Sequence, residues 1–198
     1  MHPDFEYFYP EQPRSPGNGQ ALLEQLSAAP DWMAEPKYNG SRLQLYCLDG
    51  AWQFWNRHGS RMAYVPNPEV LTALDGLNLT GFWHFDGELR HNKVKGIRHQ
   101  IVFYDLFIAD GDPLILPDFG TRRLALETYI GDRLSGPLSL APQFAADFRT
   151  VFEQFRQDKE MEGLVLKNLR GGRQLSPFCG TPSRWMWKVK YTLKEDIR

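Results

Sequence analysis

Apolar residues recur along the chain with two different periods. Leu22, Leu23 and Leu26 fall at helical spacing, which predicts a helix over Gln20–Ala29 stopped by Pro30. Alternation begins at Leu43-Gln44-Leu45-Tyr46-Cys47-Leu48 and returns over 52–55, predicting two strands around the turn Asp49-Gly50. Further strands are expected over Trp83–Leu89, Gln100–Phe107, Gly163–Leu166 and Trp185–Tyr191, and Asp110–Pro113 reads as a turn. Helices are expected at about Pro68–Leu74 and over Ala146–Phe155, where Phe148, Val151, Phe152 and Phe155 share a face. Thr121–Ile130 reads as a helix with Leu124, Leu126 and Ile130 apolar and Thr121 as its N-cap. Strands and helices are mixed without regular βαβ alternation, so the fold class is α+β with antiparallel sheets.

Ahead of this body lies an N-terminal arm and connector, residues 1–19. Its aromatic cluster Phe5-Glu6-Tyr7-Phe8-Tyr9 reads as a short strand packed on the body or as a docking arm. Residues 20–198 read as one domain, a length ample for a buried core. Hydrophobic residues at 42% and aromatics at 14% argue against disorder. The net charge of −1 does not announce a nucleic-acid binder, but a local basic stripe suffices for one. Cys47 and Cys179 are far apart, which fits a reducing compartment better than a disulfide framework. No apolar run approaches the roughly 20 residues of a membrane span. Met1-His2-Pro3-Asp4 does not open a secretory signal, so a cytoplasmic protein without membrane contact is expected.

Candidate chemistry starts at Glu35-Pro36-Lys37-Tyr38-Asn39-Gly40-Ser41-Arg42. Pro36 stiffens the chain before a lone primary amine, and Gly40 permits a close backbone approach after it. Such a lysine becomes a covalent nucleophile if its surroundings favour the neutral amine; alone at a turn, it is ordinarily a solvated surface residue. Other polar residues sit beside or inside apolar strands: Asp86-Gly87-Glu88, Tyr104-Asp105, Glu162 before Gly-Leu-Val-Leu, and Lys167 after it. Lys188 and Lys190 alternate onto one strand face, either holding an anion between them or guarding an exposed edge. The basic stretch Arg90–His99 tracks a phosphate backbone or forms a solvated hairpin, and Arg170-Gly171-Gly172-Arg173 is a candidate phosphate-contacting loop. The histidines show no zinc-ligand spacing.

In chain order, EPKYNGSR, NRHGSR, FDGEL, FYDLF, EGLVLK and WMWKVK resemble the nucleotidyltransferase motifs of ATP-dependent polynucleotide ligases, most of all the DNA ligase adenylation domain. The resemblance runs from about Trp32 to Lys190, and Phe119-Gly120-Thr121-Arg122-Arg123 resembles the segment that opens a helix after the fourth motif. It implies an ATP-grasp-like nucleotidyltransferase domain of antiparallel sheets flanked by helices. It also implies that Lys37 attacks the α-phosphate of ATP, forming lysyl-AMP and releasing pyrophosphate. By the same resemblance Glu35 contacts the adenine edge, Tyr104 stacks on adenine, and Arg42 and Glu88 hold the ribose. Lys188 and Lys190 hold phosphate oxygens, Glu162 orients Mg²⁺ (or Mn²⁺), and Arg57 binds the 5′-phosphate of the nucleic acid strand.

Two departures stand out. Asn39 occupies a position where the family usually has aspartate, which loses a negative charge near the lysine. The chain ends at Arg198, before any OB-fold domain of the kind such ligases generally carry, so a domain-only ligase, a fragment of a longer chain, or a partner protein supplying that function is expected, with weak nick sealing unless a partner assists. A monomer acting on nicked DNA, in repair or replication, is the first expectation. RNA ligation, an mRNA-capping-type guanylyltransferase using GTP, and a non-catalytic nucleotide-binding module are the alternatives.

Overall fold

A computed structural model describes residues 7–114, 117–172 and 178–191. Phe5, Glu6 and Arg173 lie outside the described residues. Two sheets dominate. The four-stranded one has the order β1 (Gln12–Arg14), β10 (Pro182–Lys190), β9 (Met161–Asn168), β2 (Trp32–Tyr38). The six-stranded one runs β4 (Ala51–Asn56), β3 (Ser41–Leu48), β5 (Phe82–Arg90), β6 (Gln100–Ala109), β7 (Asp112–Pro113), with β8 (Leu138–Leu140) also pairing β6. Most pairs are antiparallel, as expected, but β1 lies parallel to β10 and β8 parallel to β6. Both exceptions are three-residue strands, too short to leave an alternation signal.

Each sheet buries one face against its own helices. Leu43, Leu45, Phe85 and Phe103 of the large sheet pack with Val70 and Leu74 of α2 (Pro68–Asp75) and Leu126 and Ile130 of α3 (Phe119–Ile130). Ala34, Leu164, Leu166 and Val189 of the small sheet pack with Leu23 and Leu26 of α1 (Gly19–Ser27) and Phe148 and Phe152 of α4 (Phe148–Gln154). Burying each such Leu or Phe contributes about 1.5–3 kcal/mol. Side-chain oxygens start the helices: Asn18 accepts from the Ala21 amide, and Asn67 from the Val70 amide just ahead of Pro68.

α3 departs from its expected form. Its cap is Asp118, which accepts from the Thr121 amide at 2.8 Å, so Thr121 lies inside the first turn. Leu124 is 64% exposed, and the inward positions instead include Arg122 and Arg123. Arg122 is fully buried because Asp105 of β6 receives it through two hydrogen bonds, at 2.9 and 2.8 Å. The ring of Trp185 lies 5.4 Å from its guanidinium carbon. Among the described residues, no helix is long and apolar enough to cross a membrane.

Candidate active site

The polar faces of the two sheets face each other across a cavity of about 260 Å³. Alternation decides which side chains reach it. On β2, Glu35 and Lys37 point in, while Ala34 goes to the core behind. Pro36 is tolerated because β2 is an edge strand, so its missing amide costs no ladder bond on the open side. On β10, Met186, Lys188 and Lys190 point in, with Val189 in the core. The large sheet contributes Arg42 from β3, Glu88 from β5 and Tyr104 from β6.

Glu162 reaches the cavity through an irregularity. Lys37 pairs Gly163 while Tyr38 pairs Met161, so Glu162 is left without a counterpart on β2 and turns inward. Gly163 makes this possible. Its φ is +140°, and a Cβ there would sit 2.0 Å from the Val189 carbonyl oxygen. Gly40 serves the opposite wall, since a Cβ there would lie 2.7 Å from the Glu88 side chain.

The cavity holds several charge pairs. Lys37 Nζ donates to Glu162 Oε2 at 2.5 Å, and Lys190 Nζ lies 3.0 Å from the same oxygen. Partial burial pushes the Glu162 carboxyl up, but these lysine contacts outweigh it and hold it below the usual range. Lys188 is lowered by its own desolvation and by Lys190, Lys37 and Arg57. Arg42 makes a two-pronged contact with Asp86; burial works against its charge, but Asp86 and Glu88 outweigh that and hold its pKa up. Glu88 is almost fully buried, and desolvation pushes its carboxyl up to about 7 despite Arg42 and Lys37. The Tyr104 hydroxyl donates to Glu88 at 3.5 Å and is raised by burial and by that carboxylate. Glu35 accepts from Gln143 at 2.9 Å and lies 2.6 Å from Lys167 Nζ. Arg57 stands at the rim, exposed, between this cavity and a second one of about 780 Å³.

All nine candidate residues (Glu35, Lys37, Arg42, Arg57, Glu88, Tyr104, Glu162, Lys188 and Lys190) therefore line one cavity. The sequence reading assigned no role to Lys167, a buried cation 5.1 Å from the Tyr104 ring centroid. Its signal was present, since it alternates with Val165 onto the cavity face. Asp86 and the arm residues Pro10, Gln12 and Pro13 were also missed; Asp86 braces Arg42, and the three arm residues line the cavity. Asn39 is absent from the lining, and its backbone amide donates to the Glu160 carbonyl. The basic stretch after Arg90 forms turns rather than extended structure, with Lys93 lining the second cavity.

Chemically, the cavity has two ends. Tyr104, Val165 and Met186 offer flat and apolar walls, while Lys37, Lys188 and Lys190 cluster beside Glu162. That suits a ligand with a planar ring and a polyphosphate. Among the described residues, no three His, Cys, Asp or Glu side chains cluster as a metal cage. Glu162 fits a hard divalent cation shared with ligand phosphates, the usual way Mg²⁺ is held.

No protein-family model and no curated protein matches the chain in sequence. Solved structures do match in shape. The ligase domain of M. tuberculosis LigD superposes with a TM-score of 0.73 at 22% identity, covering 94% of this chain and 61% of its own. The ATP-dependent DNA ligase of bacteriophage T7, in complex with ATP, gives 0.60 at 18%, covering 91% and 68%. An RNA ligase of Naegleria gruberi gives 0.53 at 15%, covering 94% and 57%. The chain thus spans about three fifths of the LigD ligase domain, and its fold is that of the nucleotidyltransferase domain of ATP-dependent polynucleotide ligases.

Proposed function

We propose that the chain is a polynucleotide ligase catalytic domain that forms lysyl-AMP on Lys37 and passes the AMP to a 5′-phosphate, with nicked DNA as substrate. The observation that carries this reading is the placement of Lys37 Nζ, 2.5 Å from Glu162 and in one cavity with Lys188, Lys190 and Arg42. The amine attacks as free base, so its proton must leave first, to water or to a phosphate oxygen of the bound nucleotide, once its pairing with Glu162 loosens. A bond forms from Nζ to the α-phosphorus as the bond to the bridging oxygen breaks, and pyrophosphate leaves with the electron pair. Lys188 and Lys190 are placed to stabilise the charge that builds on the phosphate oxygens. Tyr104 supplies a stacking face for adenine, Glu35 an acceptor for its amino edge, and Arg42 and Glu88 partners for the ribose hydroxyls. A divalent cation, held by Glu162 with the nucleotide phosphates, supplies further charge neutralisation when bound.

In the second step an oxygen of the 5′-phosphate, bound at Arg57, attacks the phosphorus of lysyl-AMP and the phosphorus–nitrogen bond breaks, returning the amine to Lys37. In the third a 3′-hydroxyl attacks the activated 5′-phosphate and AMP departs. DNA is preferred over RNA because NRHGSR and FDGEL resemble the DNA ligase versions, and the DNA ligase structures superpose better than the RNA ligase.

Incubation with α-labelled ATP or GTP and Mg²⁺, followed by nicked DNA or RNA duplexes, tests this directly. ATP labels the wild type and not Lys37→Ala, and the label moves to nicked DNA. Label retained by the alanine variant, or none on the wild type with any divalent metal, overturns the reading. Labelling by GTP alone instead makes the chain a guanylyltransferase.

A further inference from the structure

The turn that carries Arg57 is held from two sides by distant segments. On one side is the N-terminal arm. Tyr7 donates its hydroxyl to the Asn56 carbonyl at 2.6 Å. Its ring lies 5.8 Å from Trp55 and edge-on to Tyr9 at 5.0 Å. The same carbonyl accepts from the Gly59 amide, and the Asn56 side chain accepts from the His58 and Ser60 amides at 2.8 and 3.2 Å. Tyr7 therefore bonds the residue that organises the whole turn. Gly59, with φ +77°, passes directly beneath the two tyrosines: a Cβ there would lie 3.1 Å from the Tyr9 hydroxyl and 3.3 Å from the Tyr7 ring.

On the other side is Cys179. Arg57 Nε donates to His58 Nε2 at 3.2 Å. A guanidinium nitrogen is always a donor, so Nε2 is the bare nitrogen of that ring and the proton sits on Nδ1. Nδ1 then donates to Cys179 Sγ, 3.3 Å away, and the thiol faces the Arg57 carbonyl at 3.6 Å. An exposed arginine ordinarily samples many rotamers and gives up that freedom on binding an anion. Here its backbone turn and its Nε are both held beforehand. The arm continues from Tyr7 through Pro10 and Gln12, which line the nucleotide cavity. One strap of chain therefore touches the nucleotide cavity and the turn at its rim.

We propose that Tyr7 is a positioning residue for Arg57: the arm pins the Asn56–Ser60 turn so that the guanidinium is presented to the 5′-phosphate of the acceptor strand. The proposal rests on the reading of Arg57 as the 5′-phosphate contact.

The test is a double-mutant cycle between Tyr7→Phe and Arg57→Ala. Its readout is the anisotropy of labelled nicked duplexes carrying either a 5′-phosphate or a 5′-hydroxyl at the nick. The wild type prefers the phosphate. Tyr7→Phe, which loses one neutral hydrogen bond and keeps the ring, reduces that preference about fivefold. Arg57→Ala removes it, and adding Tyr7→Phe to Arg57→Ala leaves the affinity for either duplex unchanged, whereas a purely structural role would weaken binding of both duplexes equally in both backgrounds. Gly59→Ala, which crowds the same contact from the turn side, gives the same loss of preference and serves as the second variant. An unchanged preference in Tyr7→Phe, equal effects in both backgrounds, or a wild type indifferent to the phosphate each overturns the proposal. Labelling of Lys37 by ATP is followed in parallel. Coupling without labelling sinks the catalytic reading and leaves the strap standing, and labelling without coupling does the reverse.

Discussion

Replacing Glu88 by glutamine removes a titrating group from a wall where burial holds its pKa at about 7, against an ordinary value of 4.5. The side chain is 8% exposed, so solvent screens little of this effect. The sign follows from proton binding. The folded protein holds the Glu88 proton more tightly than the unfolded chain, so unfolding releases it between those two values. The favourable contribution is complete below pH 4.5 and is lost as pH rises through about 7. A tenfold change in proton affinity is about 1.4 kcal/mol, so the full loss is roughly 3 kcal/mol, of which about 2.5 falls between pH 5 and 8. Glutamine keeps the shape and cannot titrate. Urea unfolding of both proteins at pH 5, 6, 7 and 8 therefore gives a wild-type-minus-variant stability that falls steadily across the series. If Glu88 holds the ribose as proposed, labelling of the wild type by ATP rises over the same range, because only the ionised carboxylate is a full acceptor for ribose hydroxyls. Stability profiles that run parallel from pH 5 to 8 would show that Arg42 and Lys37 keep Glu88 ionised throughout, and the argument from burial would be wrong.

Two further variants probe the frame. Among the described residues, Arg122→Leu leaves the buried Asp105 carboxylate with the Leu106 amide alone as a donor, at 2.9 Å, and is expected to cost about 3–5 kcal/mol, or roughly 10 °C in melting temperature. Converting Asp105 to leucine as well restores much of that loss; a double variant no more stable than the single one contradicts the explanation. Gly163→Ala forces a side chain into the Val189 carbonyl at a φ of +140°, so it lowers stability by about 2 kcal/mol or more. It also slows Lys37 labelling, because the Lys37 and Lys190 strands no longer close on Glu162; thermal melts and a labelling time course read the two effects separately.

Strands and helices with one apolar face were legible in the sequence, the hairpin of β3 and β4 most clearly, because each packs a single face against a helix layer. β2 was not recognised as a strand. Glu35 and Lys37 put charges on its inner face, and Pro36 reads as a breaker unless the strand is known to be an edge. In α3 the arginines at 122 and 123 look solvent-facing until Asp105 and Glu127 are seen to receive them, and that displaces Leu124 outward. The cavity residues were found through motif order, since polar positions on alternating strands otherwise read as ordinary solvent faces. Their meeting needed the tertiary structure: Lys37 and Glu162 are 125 residues apart in sequence and 2.5 Å apart in space.

Net charge misleads for the same reason. The chain carries −1 overall, yet among the described residues six cationic side chains line the cavity against three carboxylates. Glu35 is engaged by Lys167, and Glu88 holds its proton up to about 7. Glu162 therefore faces most of the remaining positive charge and is shared by Lys37 and Lys190. Like charges gathered on facing sheets repel one another, and an entering polyphosphate relieves that repulsion while it displaces part of the Glu162 pairing. If Lys37 is the proposed nucleophile, binding and release of Nζ from its carboxylate partner are then one event, which ties the readiness of the lysine to the presence of its substrate. The positive field of the cavity is compensated elsewhere on the chain, so composition alone carries no trace of it.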